Sequence, residues 1–204
     1  MQALPSWRGA AHVRNLSAGG LGLLYRLQAF GAHHIGTAGP LIVLCPSEAV
    51  LAGTVLQAIA PRPLHLIPNA AMTAVVPTPI LSSLGAIVPS STAAIAAQEA
   101  ALQAIADDRA VAIVGSLVDP AWLVAVSRAP VVCVTLVGEQ GRVPTDPPRI
   151  RSRVRAYVSM QHQVAVAGDP LHVSTRAAVT EQLRQLRADA DDQALRRAGL
   201  WEAS

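Results

Sequence analysis

Short apolar runs recur along this chain, separated by stretches with helical spacing. Leu41-Ile42-Val43-Leu44-Cys45 is apolar at every position and is closed by Pro46. A run without alternation predicts a strand buried on both faces. Leu64 to Ile67, Gly85 to Val88, Ala110 to Val114 and Val131 to Val137 read the same way. Between them, helices are predicted from Ser47 or Glu48 to Ile59, from Ala93 to Ala106 and from Ala121 to Ser127. Ser90, Ser91 and Thr92 offer caps to the second of these. Ala70 to Leu84 is helical in part, broken at Pro77 and Pro79. Near the start, Leu21, Leu24 and Leu27 predict a helix that runs to Phe30 and stops at Gly31. Arg149 to Val166 is strand-rich. Ser174 or Thr175 caps a last helix from Ala177 to about Arg197. The expected fold is α/β, a largely parallel central sheet flanked by helices. It forms a single domain over 1–204, with an N-terminal helical segment (1–30) and a C-terminal helix (174–198).

Composition narrows the function classes. Half of the residues (51%) are apolar and 14% are charged, which excludes intrinsic disorder. Two cysteines, Cys45 and Cys133, cannot staple a chain of this length. All basic residues are arginine, so a lysine nucleophile, Schiff base or P-loop lysine is excluded. Aromatic residues make up 3%, too few for base-stacking platforms, and nucleic acid is a disfavoured partner. The apolar stretch from Leu16 to Ile35 is interrupted by Arg26 and glycines, too broken for a span. The chain is therefore expected in the cytoplasm, with peripheral contact at the inner face of the cell membrane compatible with its mean hydropathy of +0.38.

Three patterns invite chemistry. Gly19-Gly20-Leu21-Gly22 resembles a dinucleotide phosphate turn, but no convincing strand precedes it and no acidic residue closes a second strand. No cofactor is expected on that account. His33-His34 lacks the cysteine or carboxylate partners of a metal site, and no metal is expected. Cys45, Ser47 and Glu48 stand at the carboxyl end of a core strand, where open α/β sheets place ligands. A nucleophile there needs a base, for which His33, His34 and His65 are the candidates.

A longer pattern covers residues 13–190. It begins with Gly31-Ala-His-His-Ile-Gly-Thr-Ala-Gly39-Pro40-Leu-Ile-Val-Leu44 and Pro61-Arg62-Pro63-Leu-His-Leu. It continues with Leu81-Ser-Ser-Leu-Gly85-Ala86-Ile87, Ala110-Val-Ala-Ile-Val and Ala129-Pro130-Val-Val-Cys-Val-Thr-Leu-Val-Gly138. It closes with Val164-Ala-Val-Ala-Gly168-Asp169-Pro170-Leu171 and Thr180-Glu181-Gln182-Leu183. In order and spacing this resembles the phospholipid/glycerol acyltransferase family, of the lysophosphatidate acyltransferase type. The resemblance implies acyl transfer from a thioester to a glycerolipid-type hydroxyl at or near a membrane. It implies a His-x4-Asp motif after the first core strand, whose histidine takes the hydroxyl proton while the aspartate orients it. It also implies an arginine and an acidic glycine-rich stretch that hold the acceptor phosphate.

This chain departs from the pattern at each reactive point. By register Ser47 replaces the histidine and Ala52 the aspartate. Ser91 replaces the arginine, and Gly115-Ser116-Leu117-Val118-Asp119 stands for the acidic stretch, which leaves Ser91 and Ser116 as the candidate binding positions. No His-x4-Asp occurs anywhere. Loss of a general base lowers a rate by about 10²–10⁴. The expectation is an acyltransferase-like pseudoenzyme of glycerolipid metabolism. It would bind an anionic phospholipid surface or acyl chain, or partner an active acyltransferase or other membrane-lipid enzyme. The alternative is an active acyltransferase with a divergent site, rescued by Cys45, Glu48 or His65. Arg149, Arg151, Arg153 and Arg155 alternate, so a strand would put all four on one face for an acidic partner.

Overall fold

The computed structural model describes residues 7–88, 94–115, 118–138, 141–142 and 152–200. The first helix, α1 (Trp7–Leu24), is followed directly by β1 (Arg26–Phe30) and a 3-10 turn (Ala32–Ile35). Then come β2 (Leu41–Cys45), α2 (Ala52–Ile59), β3 (His65–Ile67), α3 (Ala70–Val75), α4 (Thr78–Ser83) and α5 (Ala94–Ala106). The chain continues through β4 (Ala110–Val114), α6 (Pro120–Ser127), β5 (Val131–Gly138), β6 (Gly141–Arg142), β7 (Arg153–Val158) and α7 (Val173–Ala198). The sheet order is β1-β7-β5-β2-β4-β3, with β6 paired to β5. β5, β2, β4 and β3 are mutually parallel; β7 runs antiparallel to β5, and β1 is parallel to β7.

Every residue of β2 and β4 is buried, as uninterrupted apolar runs require. Alternate side chains of β2 serve two layers. Leu41, Val43 and Cys45 pack with Val55 and Leu56 of α2 and with Leu21 of α1. Ile42 and Leu44 pack with Ala101 of α5, Leu123 and Val124 of α6, and Val179 and Leu183 of α7. The largely parallel α/β architecture expected from the sequence is the one observed.

Several boundaries differ from expectation. Arg26–Phe30 is an edge strand and not the end of a helix, because its backbone pairs in register with β7, from Arg26 beside Arg153 to Phe30 beside Tyr157. Tertiary pairing overrides a helical leucine spacing here. Gly85–Val88 is not a strand. Gly85 sits at φ +82, and Ile87 N–H to the Leu66 carbonyl, at 2.7 Å, is one backbone bond to β3 where a ladder needs several. The helix after β2 begins at Ala52, five residues later than Ser47, because the intervening residues form a turn. The last helix begins at Val173 with His172 as its cap, the ring accepting from the Ser174 N–H. Gly19, Gly20 and Gly22 lie inside α1 and form no phosphate turn.

Candidate functional site

The turn after β2 is held by one buried side chain. Asn69, which has no exposed surface, caps α3 by accepting from the Met72 N–H at 2.8 Å. Its amide N–H groups donate to the Ser47 and Ala49 carbonyls, both at 3.0 Å. The end of β3 therefore fixes the turn after β2 across the intervening β4. Gly115, just past β4, donates to the Cys45 carbonyl at 2.9 Å. It sits at φ +73, where a Cβ would meet both Asn69 Cβ and Glu48 Oε1 at 2.7 Å. Only glycine lets these three segments close so tightly.

This turn opens onto a cavity of about 240 Å³ between β2, β5 and α7. Its polar lining is Ser47 and Glu48 from the turn, Thr135 from β5, and Arg187 and Asp191 from α7. The Thr135 hydroxyl donates to Asp191 Oδ1 at 2.7 Å. The Ser47 hydroxyl accepts from the Ala49 N–H at 3.3 Å. The cavity thus offers one guanidinium, two carboxylates and two hydroxyls. That set suits a small polar or zwitterionic group and contains no imidazole. The sequence reading missed Thr135, Arg187, Asp191 and Asn69. Thr135 had a visible signal, being the one hydroxyl in an otherwise apolar strand. Arg187 and Asp191 share a helical face by their four-residue spacing, but nothing in the sequence says which strand that face meets.

Among solved structures, the crystal structure of the 1-acyl-sn-glycerophosphate (LPA) acyltransferase PlsC from Thermotoga maritima is similar to this chain. The TM-score is 0.57 at 10% sequence identity, over 88% of this chain and 80% of that one. No protein-family model and no curated protein matches the chain. The fold is acyltransferase-like.

The positions that the sequence register singles out carry little reactive chemistry. Ser47 lies at the cavity mouth. Ala52 is buried at the start of α2 and faces away from the cavity, into an apolar seam with Leu21, Val55 and Leu136 that leaves only about 10 Å³ free. Such a gap holds at most one water. Cys45 points into the core, and burial pushes its thiol up to about 12. Burial likewise raises Cys133 to about 11. Neither provides a thiolate at neutral pH. Glu48 is exposed beside Gly115 and reaches the same cavity.

The histidines lie elsewhere. His65 opens β3, paired with Val111, three residues before Val114, the partner of Cys45. That is about 10 Å back along the strands and two strands across. Its Nδ1 bonds the Gly85 carbonyl at 3.0 Å, and Nε2 faces Arg109 Nη1 at 3.4 Å. With Arg109 donating to Nε2, Nδ1 carries the proton. Burial, then Arg109, lowers its pKa, so it is a neutral structural group. His33 and His34 follow β1, roughly 14 Å across the sheet from β2 and at the end of a strand running the opposite way. His162 bridges to Val131 at the start of β5. His12 contacts the Arg8 carbonyl, and His172 caps α7. The structure brings Ser47 and Glu48 together and leaves His33, His34 and His65 out of reach.

Ser91, Ser116, Arg149 and Arg151 lie outside the described residues. Arg153 is exposed beside Arg26 on β1. Arg155, half-buried, donates to the Ala198 carbonyl at 3.1 Å and so helps close the C-terminus of α7. Tyr157, next on that face, is buried with Ala194 under α7. The described part of the arginine face is thus partly covered. No group of three His, Cys, Asp or Glu among the described residues is placed to hold a metal ion. No described helix is long and apolar enough to cross a membrane.

Proposed function

We propose that this chain is a non-catalytic member of the acyltransferase-like proteins of glycerolipid metabolism. It acts at a lipid surface, as a binder of phospholipid or as the partner subunit of a membrane-lipid enzyme. One observation carries the reading. The cavity at the carboxyl end of β2 presents Ser47, and no histidine lines it. A serine hydroxyl does not accept a proton at neutral pH, and a missing base removes about 10²–10⁴ in rate. The likeness to an LPA acyltransferase supports the lipid class, and the mixed polar lining of the cavity, with Arg187 the group of opposite charge to a phosphate, supports recognition of a headgroup more than of an acyl chain.

The test is incubation of the pure full-length chain with acyl thioesters and glycerolipid acceptors. We expect no acceptor-dependent turnover, and the same trace from Ser47→Ala. Turnover abolished by Ser47→Ala or Glu48→Gln overturns the reading in favour of a divergent active acyltransferase. Co-purification from native membranes, with lipid and protein mass spectrometry, then distinguishes a lipid binder from a partner subunit.

A further inference from the structure

The α3–α4 segment follows directly on Asn69 and has an unusual surface. Five of the six residues of α3 are apolar and none is buried; α4 buries only Leu81. Val75 is 66% and Ile80 49% exposed. Pro77 and Pro79 between and within these helices are exposed as well. Isolated helices of this length do not persist in water on propensity alone. A soluble protein ordinarily rims such a ledge with charge, but from Pro63 to Gln98 the sequence contains no Asp, Glu, Lys or Arg.

Charge along the chain is unequally shared. Residues 1–98 carry four arginines and one acid, Glu48, whereas residues 99–204 carry twelve of each. Of these four arginines, Arg62 is buried against the Gly39 carbonyl, Arg14 donates to the Ala60 carbonyl and Arg26 lies on β1, at the far edge of the sheet from β3. Exposed Arg8 stands beside the ledge, because its neighbour Gly9 lies against the Ser83 carbonyl at the end of α4. An apolar, uncharged ledge with the exposed Arg8 at its α4 end and its one nearby acid, Glu48, at the opposite end by Asn69 is suited to the anionic face of a bilayer.

We propose that α3–α4, led by Val75 and Ile80, is the surface that seats this chain on an anionic lipid bilayer. The proposal rests on the lipid-surface reading above and names the surface that performs it. Asn69 ties the ledge to the Ser47 turn.

The experiment is co-sedimentation of the full-length protein with vesicles of phosphatidylglycerol and phosphatidylcholine, and with phosphatidylcholine alone. The wild type is expected to bind the mixed vesicles, more weakly at high salt. Val75→Glu with Ile80→Glu is expected to reduce partitioning roughly tenfold or more. The control is Leu171→Glu with Val173→Glu, an equally exposed apolar pair (67% and 76%) flanked by Asp169 and Arg176. It is expected to bind within about twofold of wild type. All four residues are exposed, and matching thermal midpoints establish that the variants fold. Wild-type binding unchanged by the α3–α4 pair overturns the ledge alone, as does equal loss in both pairs. Failure of the wild type to bind any vesicle overturns the lipid-surface reading as well. A wild-type dimer without vesicles that Val75→Glu with Ile80→Glu makes monomeric assigns the face to a second copy and also overturns the proposal.

Discussion

At the carboxyl end of β2, Asn69 places its amide on the Ser47 and Ala49 carbonyls and holds open a polar cavity. At the amino end of β3, His65 places its imidazole on Gly85 and Arg109 and holds a buried contact shut. Both side chains have no exposed surface, and both join segments distant in sequence. They differ in what they leave for a ligand. Asn69 leaves a cavity with hydroxyls, carboxylates and a guanidinium. His65, the kind of group a proton transfer requires, has both ring nitrogens occupied by protein. A histidine count says nothing about a base; the end of the strand on which the histidine stands decides it.

The largest effect tests whether a His-x4-Asp motif can be introduced at these positions. Ala52→Asp would insert a carboxylate into the seam with Leu21, Val55 and Leu136. An unpaired buried charge costs about 3–5 kcal/mol, a fall of about 10 °C in midpoint for a chain of this size. Thermal unfolding of Ala52→Asp, alone and with Ser47→His, measures it. A stable double variant that turns over acyl thioester would erase the contrast between the two strand ends. Next comes Asn69→Ala. It removes a helix cap, typically about 1 kcal/mol, and leaves the Ser47 and Ala49 carbonyls without their donor. The expected destabilisation is about 2–3 kcal/mol, read by denaturant titration. A loss below about 0.5 kcal/mol would mean that the Ser47 turn holds itself without Asn69.

Much of the fold was legible because β2, β4 and β5 are continuous apolar runs bounded by proline or glycine, and such runs have few alternative readings. Arg26–Phe30 was not legible: its leucine spacing suits a helix, and its strand state depends on a partner more than a hundred residues away. Gly85–Val88 failed for the converse reason, an apolar run that meets too short a neighbour to form a ladder. At the site, register singled out Ser47 and Ala52, and in the structure they face different spaces, Ser47 the polar cavity and Ala52 an apolar seam, which register alone does not tell apart. The α7 contribution was hidden because helix faces are assigned by packing. The exposed apolar ledge was hidden for the same reason, since the sequence shows Val75 and Ile80 to be apolar and not whether a neighbour covers them.

The smallest effect concerns the amino end alone and is a matter of pH. Burial and then Arg109 hold the His65 pKa below its ordinary value near 6.5. The folded chain therefore keeps this ring neutral at a pH where the unfolded chain protonates it. The stability this gives is fully present above about 6.5 and is lost as pH falls below that value toward the folded pKa. One proton sets the steepest possible slope, about 1.4 kcal/mol per pH unit. Acid also protonates carboxylates, so the comparison needs a non-titrating substitute. His65→Asn keeps an N–H for the Gly85 carbonyl and removes the titration. We expect the wild-type midpoint to fall between pH 7.5 and 5 by more than that of His65→Asn, with the two curves parallel above pH 7. Curves parallel through the whole range would mean that His65 binds a proton as readily in the fold as in the unfolded chain. The amino end of the sheet would then be open to water like the carboxyl end, and His65 would return as a titratable group in need of a role.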